Sequence, residues 1–461
     1  MNKNVLGIDL GTSSVKILQL FSNGKIIKSR AEYESIYPLG WWNAICEALS
    51  KLELNGVEAI SLSSQVGTYI INEKEVISWN SRIGTEEVQD IKKKYKTEIF
   101  LQEISMAHPN IISYPIPRLK YIKNNFEKIE SVCQPKDYIC EQLTGCRVTD
   151  PYSWRGIANL QKGTYSQFFL HEIGIEEDKL PKMQAYDSLA GQTKKLALPG
   201  KTLRAGIPVY VGLNDYYASL LGMGVQKKGD LFDISGTSEH LGVIEKETNI
   251  TTQLVSGPYL NDNVHYGVTA SSGASIKFGL KLLKSGNIDL KIMSKKNPPI
   301  FLPYLNGERA PIWNADARGM YFGICEGCET EELAYAAFEG VVFSLYHIYE
   351  TMGKPKANSI KISGGAAVFE ILNQLKAEMF ELTAEILEEN DTSALGAALI
   401  AAVGAGWYQD YQAAMNAVCK IKKVVCPTGI YKEWLDKRYS IYKELYPAVK
   451  IQYERLKELN S

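Results

Sequence analysis

The chain has 461 residues, 45% of them hydrophobic and 22% charged, with a formal net charge of −1. That length predicts two domains rather than one core, and the near-neutral balance argues against a nucleic-acid or anionic-membrane partner. The first apolar run carries Asp9 and enters a turn, unlike a secretory leader, and eight scattered cysteines suit a reduced, cytoplasmic protein better than a disulfide framework.

In chain order, VLGIDL, VKILQLF and KIIKSRAEY are strand-like runs joined by the turn chemistry of GTSS and SNGK. They predict an antiparallel meander. AICEALSKLELN has helical spacing, VEAISLSSQ reads as a buried strand, and EEVQDIKKKYKTEIF as one charged helix with solvated lysines. The strand IPVYVGL delivers Asp215 to its end, ahead of a helix of small residues. The second half restarts alike: GDLFDISGTSEHLGVIEK is strand, turn, strand. EELAYAAFEGVVFSLYHIYETMG predicts a long apolar helix closed by Gly353. SIKISGGAAVFEILNQLKAEMF reads as strand, Gly-Gly turn and helix. SALGAALIAAVGAGWY is too short and glycine-rich to span a bilayer and predicts a buried helix. The last segment, KEWLDKRYSIYKELYPAVKIQYERLKEL, predicts an amphipathic helix interrupted near Pro447. These elements divide into domains at 1–226 and 227–461.

The fragments IDLGTSS (Ile8 to Ser14) and DISGTSE (Asp233 to Glu239) repeat one small turn about half a chain apart. A tight turn aims several backbone N–H groups the same way and makes a nest for an anion. Gly11 and Gly236 would permit unusual dihedrals there, and Thr12, Ser13, Thr237 and Ser238 add hydroxyl donors. Singly each reads as an ordinary hairpin turn; as a matched pair they predict two grips on one polyphosphate. Asp9, beside the first nest, either bonds its own turn or faces the phosphate across Mg²⁺, through water. The third turn, Gly364, Gly365 and Ala366, leaves room for a flat base such as adenine, or for close strand–helix packing. Asp215 is either a helix N-cap or a base placed at a strand end, where α/β proteins often hold catalytic groups. Cys325 and Cys328 have metal-ligand spacing, but zinc normally takes four ligands and no second pair is well spaced. They are expected to be ordinary thiols.

Together these segments resemble the FGGY family of carbohydrate kinases, across nearly the whole chain and in the family's order. GIDLGTSSVKI is similar to the family's first phosphate loop and WNSRIGTEEV to its Trp-Asn-Asp-x-Arg segment. KDYICEQLTGCRVTDPYSWRG and GLNDYYASLLGMG resemble its Lys-Asp-Tyr and catalytic-aspartate segments. PYLNGERAPIWNADARGMYFGI is the most specific match, and ISGGAAVFEILNQLKAEMF with ALGAALIAAVGAGWY resembles the adenosine segment and the helix after it. The resemblance implies an α/β fold of two ribonuclease-H-like (actin-like ATPase) domains with a nucleotide-binding cleft between them. It implies transfer of the ATP γ-phosphoryl group to a sugar, sugar acid or polyol, with Mg²⁺. Asp215 falls on the general base; Gly11, Thr12 and Ser13 on the first phosphate loop; Gly236 and Thr237 on the second; Gly364, Gly365 and Ala366 on the adenosine loop. Asp9 falls on the magnesium-associated position, and Gln65, Val66, Gly67, Asn80 and Arg82 on sugar-facing segments.

The departures concern the acceptor. Xylulose kinases of the family tend to carry Gln-Met-His-Gly where this chain has Gln65-Val66-Gly67-Thr68, glycerol kinases carry an Arg-Glu pair near residue 66, and Ser81 replaces an aspartate. Small Val66 and Gly67 predict a roomier pocket, with other ketoses, aldonates and polyols open. Glu239 and His240, after the second turn, match no subfamily. An actin-like or chaperone-like ATPase without a sugar substrate is the rival reading, but would not need the GERAPIW block; an iron–sulfur activator is another. A homodimer is the default assembly.

Overall fold

The computed structural model describes residues 3–34, 36–106, 111–247, 251, 253–283 and 297–459. At its start, β1 (Asn4–Leu10), β2 (Ser14–Phe21) and β3 (Ile26–Glu32) form the expected antiparallel meander. β1 is buried along its whole length because it pairs in parallel with β4 (Val57–Ser64) on its other edge. Parallel strands covered on both faces read as continuous apolar runs. β5 (Leu189–Gln192) and β6 (Pro208–Asn214) complete a six-stranded sheet of order β5-β6-β4-β1-β2-β3, with β6 parallel to β4 and β5 antiparallel to β6.

A second sheet is built from β7 (Leu231–Ser235), β8 (Glu239–Glu245), β9 (Val255–Tyr259), β10 (Asp262–Val268), β11 (Ser359–Ser363), β12 (Thr383–Leu387) and β13 (Ile421–Val425). Its order is β9-β10-β8-β7-β11-β12-β13. β7, β8 and β10 form an antiparallel meander, β7, β11 and β12 run parallel, and β13 is an antiparallel edge. Without β9, order and directions repeat those of the first sheet. The repeated turn in the sequence therefore marks a repeated topology.

The two sheets belong to two units: Met1–Gly224 with Asp391–Cys419, and Val225–Asn390 with Lys420–Ser461. Asp391–Cys419, which the sequence reading placed in the second half, groups with the first unit. Its helix Thr392–Gly404 is the stretch of small residues, and most of it is buried. Small residues are needed because backbones meet there. A Cβ on Gly7 would lie 2.0 Å from the Ala394 carbonyl oxygen, one on Gly222 2.0 Å from that of Thr392, and one on Gly396 1.8 Å from that of Ala218.

Two helix expectations differ from what forms. The charged run breaks into Thr85–Lys94 and Thr97–Ile104. Tyr95 between them is extended and packs edge-on to Phe100, Phe168 and Phe169, so aromatic packing overrides continued helix. Near the end, the helix Lys432–Glu458 runs straight through Pro447. Its buried face, Leu435, Arg438, Tyr439, Tyr442, Leu445 and Tyr453, stands on both sides of the proline, and packing outweighs the one lost bond. The long helix Thr330–Thr351 ends as expected, with Gly353 at φ +83°. Among the described residues, no helix is long and apolar enough to cross a membrane.

Gly396→Leu would drive a side chain into the Ala218 backbone. It is expected to cost about 3 kcal/mol or more, read from urea unfolding. Gly365→Ala, where a Cβ meets nothing within 4 Å, is expected to leave the midpoint nearly unchanged.

Candidate functional site

Three parallel strands of the first unit end side by side. The register pairs Leu10 with Ser64 and Ser64 with Asn214. One residue from those ends stand Asp9, Gln65 and Asp215. Asp9 is buried; its Oδ2 accepts from the Ser393 hydroxyl at 2.6 Å, while Oδ1 has no hydrogen-bond partner. Gln65 is also buried, with its Oε1 unpartnered. Burial, then the nearby charge of Asp9, pushes the Asp215 carboxyl up to about 7. Burial likewise raises Asp9, against the Ser393 hydrogen bond and the charge of Lys16.

The alternative role for Asp215, capping its helix, is taken by its neighbour. Asn214 is the N-cap of Asp215–Gly222, its side chain accepting from Tyr217 N–H at 3.0 Å. Asp215 sits inside the first turn, with Oδ1 on the Tyr216 N–H at 2.8 Å. Behind it lies a brace whose members the sequence reading did not single out. Lys136, fully buried, reaches the Val211 carbonyl at 3.2 Å and Asp150 at 3.0 Å, and its backbone N–H meets Ser64 Oγ at 3.1 Å. Burial alone would lower the Lys136 amine; the charges of Asp150 and Asp137 reverse the shift and raise it. Gln134 accepts from Gly67 N–H at 3.1 Å and donates to the Ser153 carbonyl at 2.7 Å. The signal was the KDY run, which places a lysine and an aspartate within an apolar helix.

Both repeated turns are hairpin connections closed by the glycine. Gly11 N–H bonds the Ser14 carbonyl, and Gly236 N–H that of Ser238, each at 3.0 Å. Neither glycine has a positive φ, so the expected unusual dihedrals are absent. What the glycines supply is space: a Cβ would stand 3.3 Å from the Ser14 oxygen and 2.9 Å from the Ser238 oxygen. Thr12, Ser13 and Thr237 are exposed. The N–H groups of Thr12, Ser13, Thr237 and Ser238 have no partner among the described residues. The Gly11 carbonyl accepts from the Tyr33 hydroxyl.

The third turn lies beside the second within the same unit. Ser363 pairs in register with Ile234, and Gly364, at φ +94°, passes so near β7 that a Cβ would stand 2.4 Å from the Ser235 oxygen. Gly365 is exposed over open space, Ala366 is buried, and Val368 beyond is 65% exposed. Room and an apolar surface are both present for a flat base.

The remaining predicted residues are held less directly. Trp79 N–H bonds Thr68 Oγ1 at 3.1 Å, which carries Asn80 to the Gln65–Thr68 loop. Asn80 and Arg82 are exposed, and Asn80 Oδ1 accepts from Ser78. Val66 is half-buried; Gly67 is buried at φ +80°, and the room its missing side chain would leave is filled by Ser113, whose Cβ is 2.7 Å from an ideal Gly67 Cβ. The roomier pocket expected at Gly67 is therefore not there. Arg118, in the helix Pro115–Asn125, is fully buried and donates through Nη2 to the carbonyls of Ser78 at 3.1 Å and Ser81 at 3.0 Å. It moulds the loop bearing Asn80. Cys325 is exposed in a turn with Cys328, and among the described residues no three His, Cys, Asp or Glu side chains are grouped to hold a metal.

Comparison with known proteins identifies the family. Residues 4–222 match the model of the N-terminal domain, and 233–405 that of the C-terminal domain, of the FGGY family of carbohydrate kinases. A xylulose kinase of Staphylococcus xylosus is 28% identical, covering 96% of this chain and 99% of its own. A glycerol kinase of Aquifex aeolicus is 27% identical over 95% and 97%. A crystal structure of gluconate kinase from Lactobacillus acidophilus superposes with a TM-score of 0.86 at 24% identity, covering 99% of this chain and 100% of that one. The chain belongs to the FGGY family of carbohydrate kinases and has its two-domain, actin-like ATPase fold. It is an ATP-dependent phosphotransferase of the sugar-kinase class.

Arg118→Leu would leave the Ser78 and Ser81 carbonyls without their donor. It is expected to cost about 1–3 kcal/mol and to speed amide exchange over residues 78–82 before any other segment, read by hydrogen-exchange mass spectrometry.

Proposed function

We propose that this kinase transfers the γ-phosphoryl group of ATP to a hydroxyl of a ketose, sugar acid or polyol, with Asp215 as general base. The observation that carries the reading is a pair of carboxylates, Asp9 and Asp215, at the ends of β1 and β6, the parallel strands on either side of β4, with no basic side chain hydrogen-bonded to either among the described residues. Burial without a counter-ion raises a carboxylate's proton affinity, as a base near neutral pH requires. Asp215 accepts the proton of the acceptor hydroxyl. The oxygen bonds the γ-phosphorus, the bond to the β-phosphate oxygen breaks, and ADP leaves with the electron pair.

We assign Gly11, Thr12 and Ser13 to one set of phosphate donors and Gly236 and Thr237 to the other. Gly364, Gly365 and Ala366 take the adenosine, and Gln65, Val66, Gly67, Asn80 and Arg82 face the acceptor. The unpartnered Asp9 Oδ1 suits Mg²⁺ held through water. When bound, that ion supplies charge neutralisation for the transferring phosphoryl group.

A coupled ADP-release screen over pentuloses, hexuloses, heptuloses, aldonates and polyols tests the reading. One class should raise ADP release well above that with water alone; stimulation by unfolded peptide and by no sugar would sink it. Asp215→Asn should bind ATP almost as before, while phosphorylation falls by about 10²–10⁴-fold.

In protein free of divalent cation, the Asp215 carboxyl should titrate near about 7. A protonated Asp215 cannot accept another proton, so kcat/KM of the Mg²⁺-supplied enzyme should rise with pH and then level, with a midpoint below the cation-free one because the ion offsets the charge of Asp9. Asp9→Asn removes a neighbouring negative charge and should lower the midpoint, followed by carbon NMR of labelled aspartate. An unmoved midpoint would deny the coupling of the two carboxylates.

A further inference from the structure

Beneath the second turn lies a fully buried charge cluster. Lys376 touches the carboxylates of Asp233 and Glu239 and donates to Ser235 Oγ at 2.7 Å, with the Lys376, Asp233 and Glu239 side chains entirely out of solvent. Glu239 also accepts from the Ser272 hydroxyl, and its N–H donates to Thr269 Oγ1 at 3.1 Å. Ser272 opens the helix Ser272–Leu282. From that helix start, Ser272 N–H bonds the Thr237 carbonyl at 3.0 Å and Gly273 N–H bonds the Gly236 carbonyl at 3.1 Å. Gly273 has to be glycine, since a Cβ would stand 2.6 Å from the Gly236 oxygen.

In a planar trans peptide, the C=O and the N–H point in opposite directions. The carbonyl of Gly236 shares a peptide plane with the N–H of Thr237, and that of Thr237 with the N–H of Ser238. Pinning both carbonyls to the helix start therefore aims both N–H groups to the far side together. Those two N–H groups have no partner among the described residues. An anion nest is formed by such aligned amides, and here the alignment is imposed from behind.

We propose that Lys376, Glu239 and Ser272 are positioning residues for the phosphates of ATP, holding the helix start against the carbonyl side of the turn so that the Thr237 and Ser238 amides face the ligand. The inference rests on reading this turn as a phosphate site. Charge balance fits the role. With both carboxylates ionised, the cluster would be negative just behind an anion site. Burial, and then the charge of Glu239, push the Asp233 carboxyl well up. For Glu239, burial is outweighed by Lys376 and by the Ser235 and Ser272 hydroxyls, which hold it low. The two carboxylates are thus shifted in opposite directions, and Lys376 offsets the negative charge of the pair. Glu239 and Lys376 lie far apart in the chain, and both side chains are out of reach of solvent.

The test measures binding of ATP and of adenosine separately, by titration calorimetry, in the full chain. Lys376→Met should weaken ATP about tenfold, the low end of the scale of losing one hydrogen bond to a charged group, and Ser272→Ala about threefold, less than that because the backbone bonds to the turn remain, with adenosine affinity unchanged in both. If Lys376→Met does not fold, Ser272→Ala decides, since it removes one hydroxyl and leaves the backbone bonds. ATP affinity unchanged in the variant that folds overturns the proposal, as does a parallel loss of ATP and adenosine, which marks general loosening. If the unsubstituted protein binds adenosine but gains nothing from the phosphates, the phosphate reading of the turn falls as well.

Discussion

The register of three parallel strands is the constraint on which the site depends. β1, β4 and β6 are paired so that Leu10, Ser64 and Asn214 stand level. Asp9, Gln65 and Asp215 each lie within one residue of that line. A slip of one residue would turn each side chain to the opposite face and separate Asp9 from Asp215. The register is protected in depth. Lys136 ties its helix to Ser64 at the end of β4 and to Val211 in β6, and the Ser393 hydroxyl holds Asp9 from the helix above. In open α/β sheets, ligands gather at the carboxyl ends of the strands. Here that rule acts through ordinary hydrogen bonds that keep three strand ends aligned.

The two sheets share a topology but not a chemistry. Their hairpin turns both read Gly-Thr-Ser, yet Asp9 stands two residues before its glycine and Asp233 stands three. Successive side chains in a strand face opposite sides, so the offset sends the two aspartates to opposite faces of corresponding strands. Each keeps its Oδ1 without a hydrogen-bond partner among the described residues, and Asp9 Oδ2 accepts from the Ser393 hydroxyl. Asp233 turns inward and is tied to Lys376. The turns are also braced differently, the first by the Tyr33 hydroxyl on Gly11 and the second by a helix start on Gly236 and Thr237. On the proposed reading, one duplicated scaffold carries a magnesium-facing carboxylate on one copy and a supporting one on the other.

Much of this was legible in the sequence because it is local. Alternating runs around GTSS announce a hairpin, a Gly-Gly pair after the strand SIKIS announces a tight strand–helix turn, and an aspartate after IPVYVGLN announces a strand end. The site's supports were not legible, because they are contacts between distant residues with no periodic trace. Arg118 sits in a helix pattern like any surface arginine, and only the folded chain shows its guanidinium beneath the Ser78–Ser81 loop. Ser113 fills the space beside Gly67, which a glycine's small size misreports as room. The helix Thr392–Gly404 follows β12 in the chain yet packs on β1, and nothing in its composition says which sheet its small residues are shaped to meet.

Buried charge separates the supporting residues from the reactive ones. Each unit encloses one lysine between two carboxylates: Lys136 with Asp137 and Asp150, and Lys376 with Asp233 and Glu239. Such clusters are costly to desolvate and add little net stability compared with apolar packing. Their value here is geometric, since each pins a segment that a neighbouring functional turn or strand end rests upon. Asp215 is the contrasting case. It is pushed up to about 7 by burial and by Asp9, and no cation offsets either cause. A carboxylate shifted in that way gains nothing for the fold above its unfolded pKa, because ionising it in place costs more than ionising it in water. On the proposed reading its persistence is accounted for by the proton it takes from the acceptor hydroxyl, which would join the electrostatics of this corner of the sheet to the transfer of a phosphoryl group.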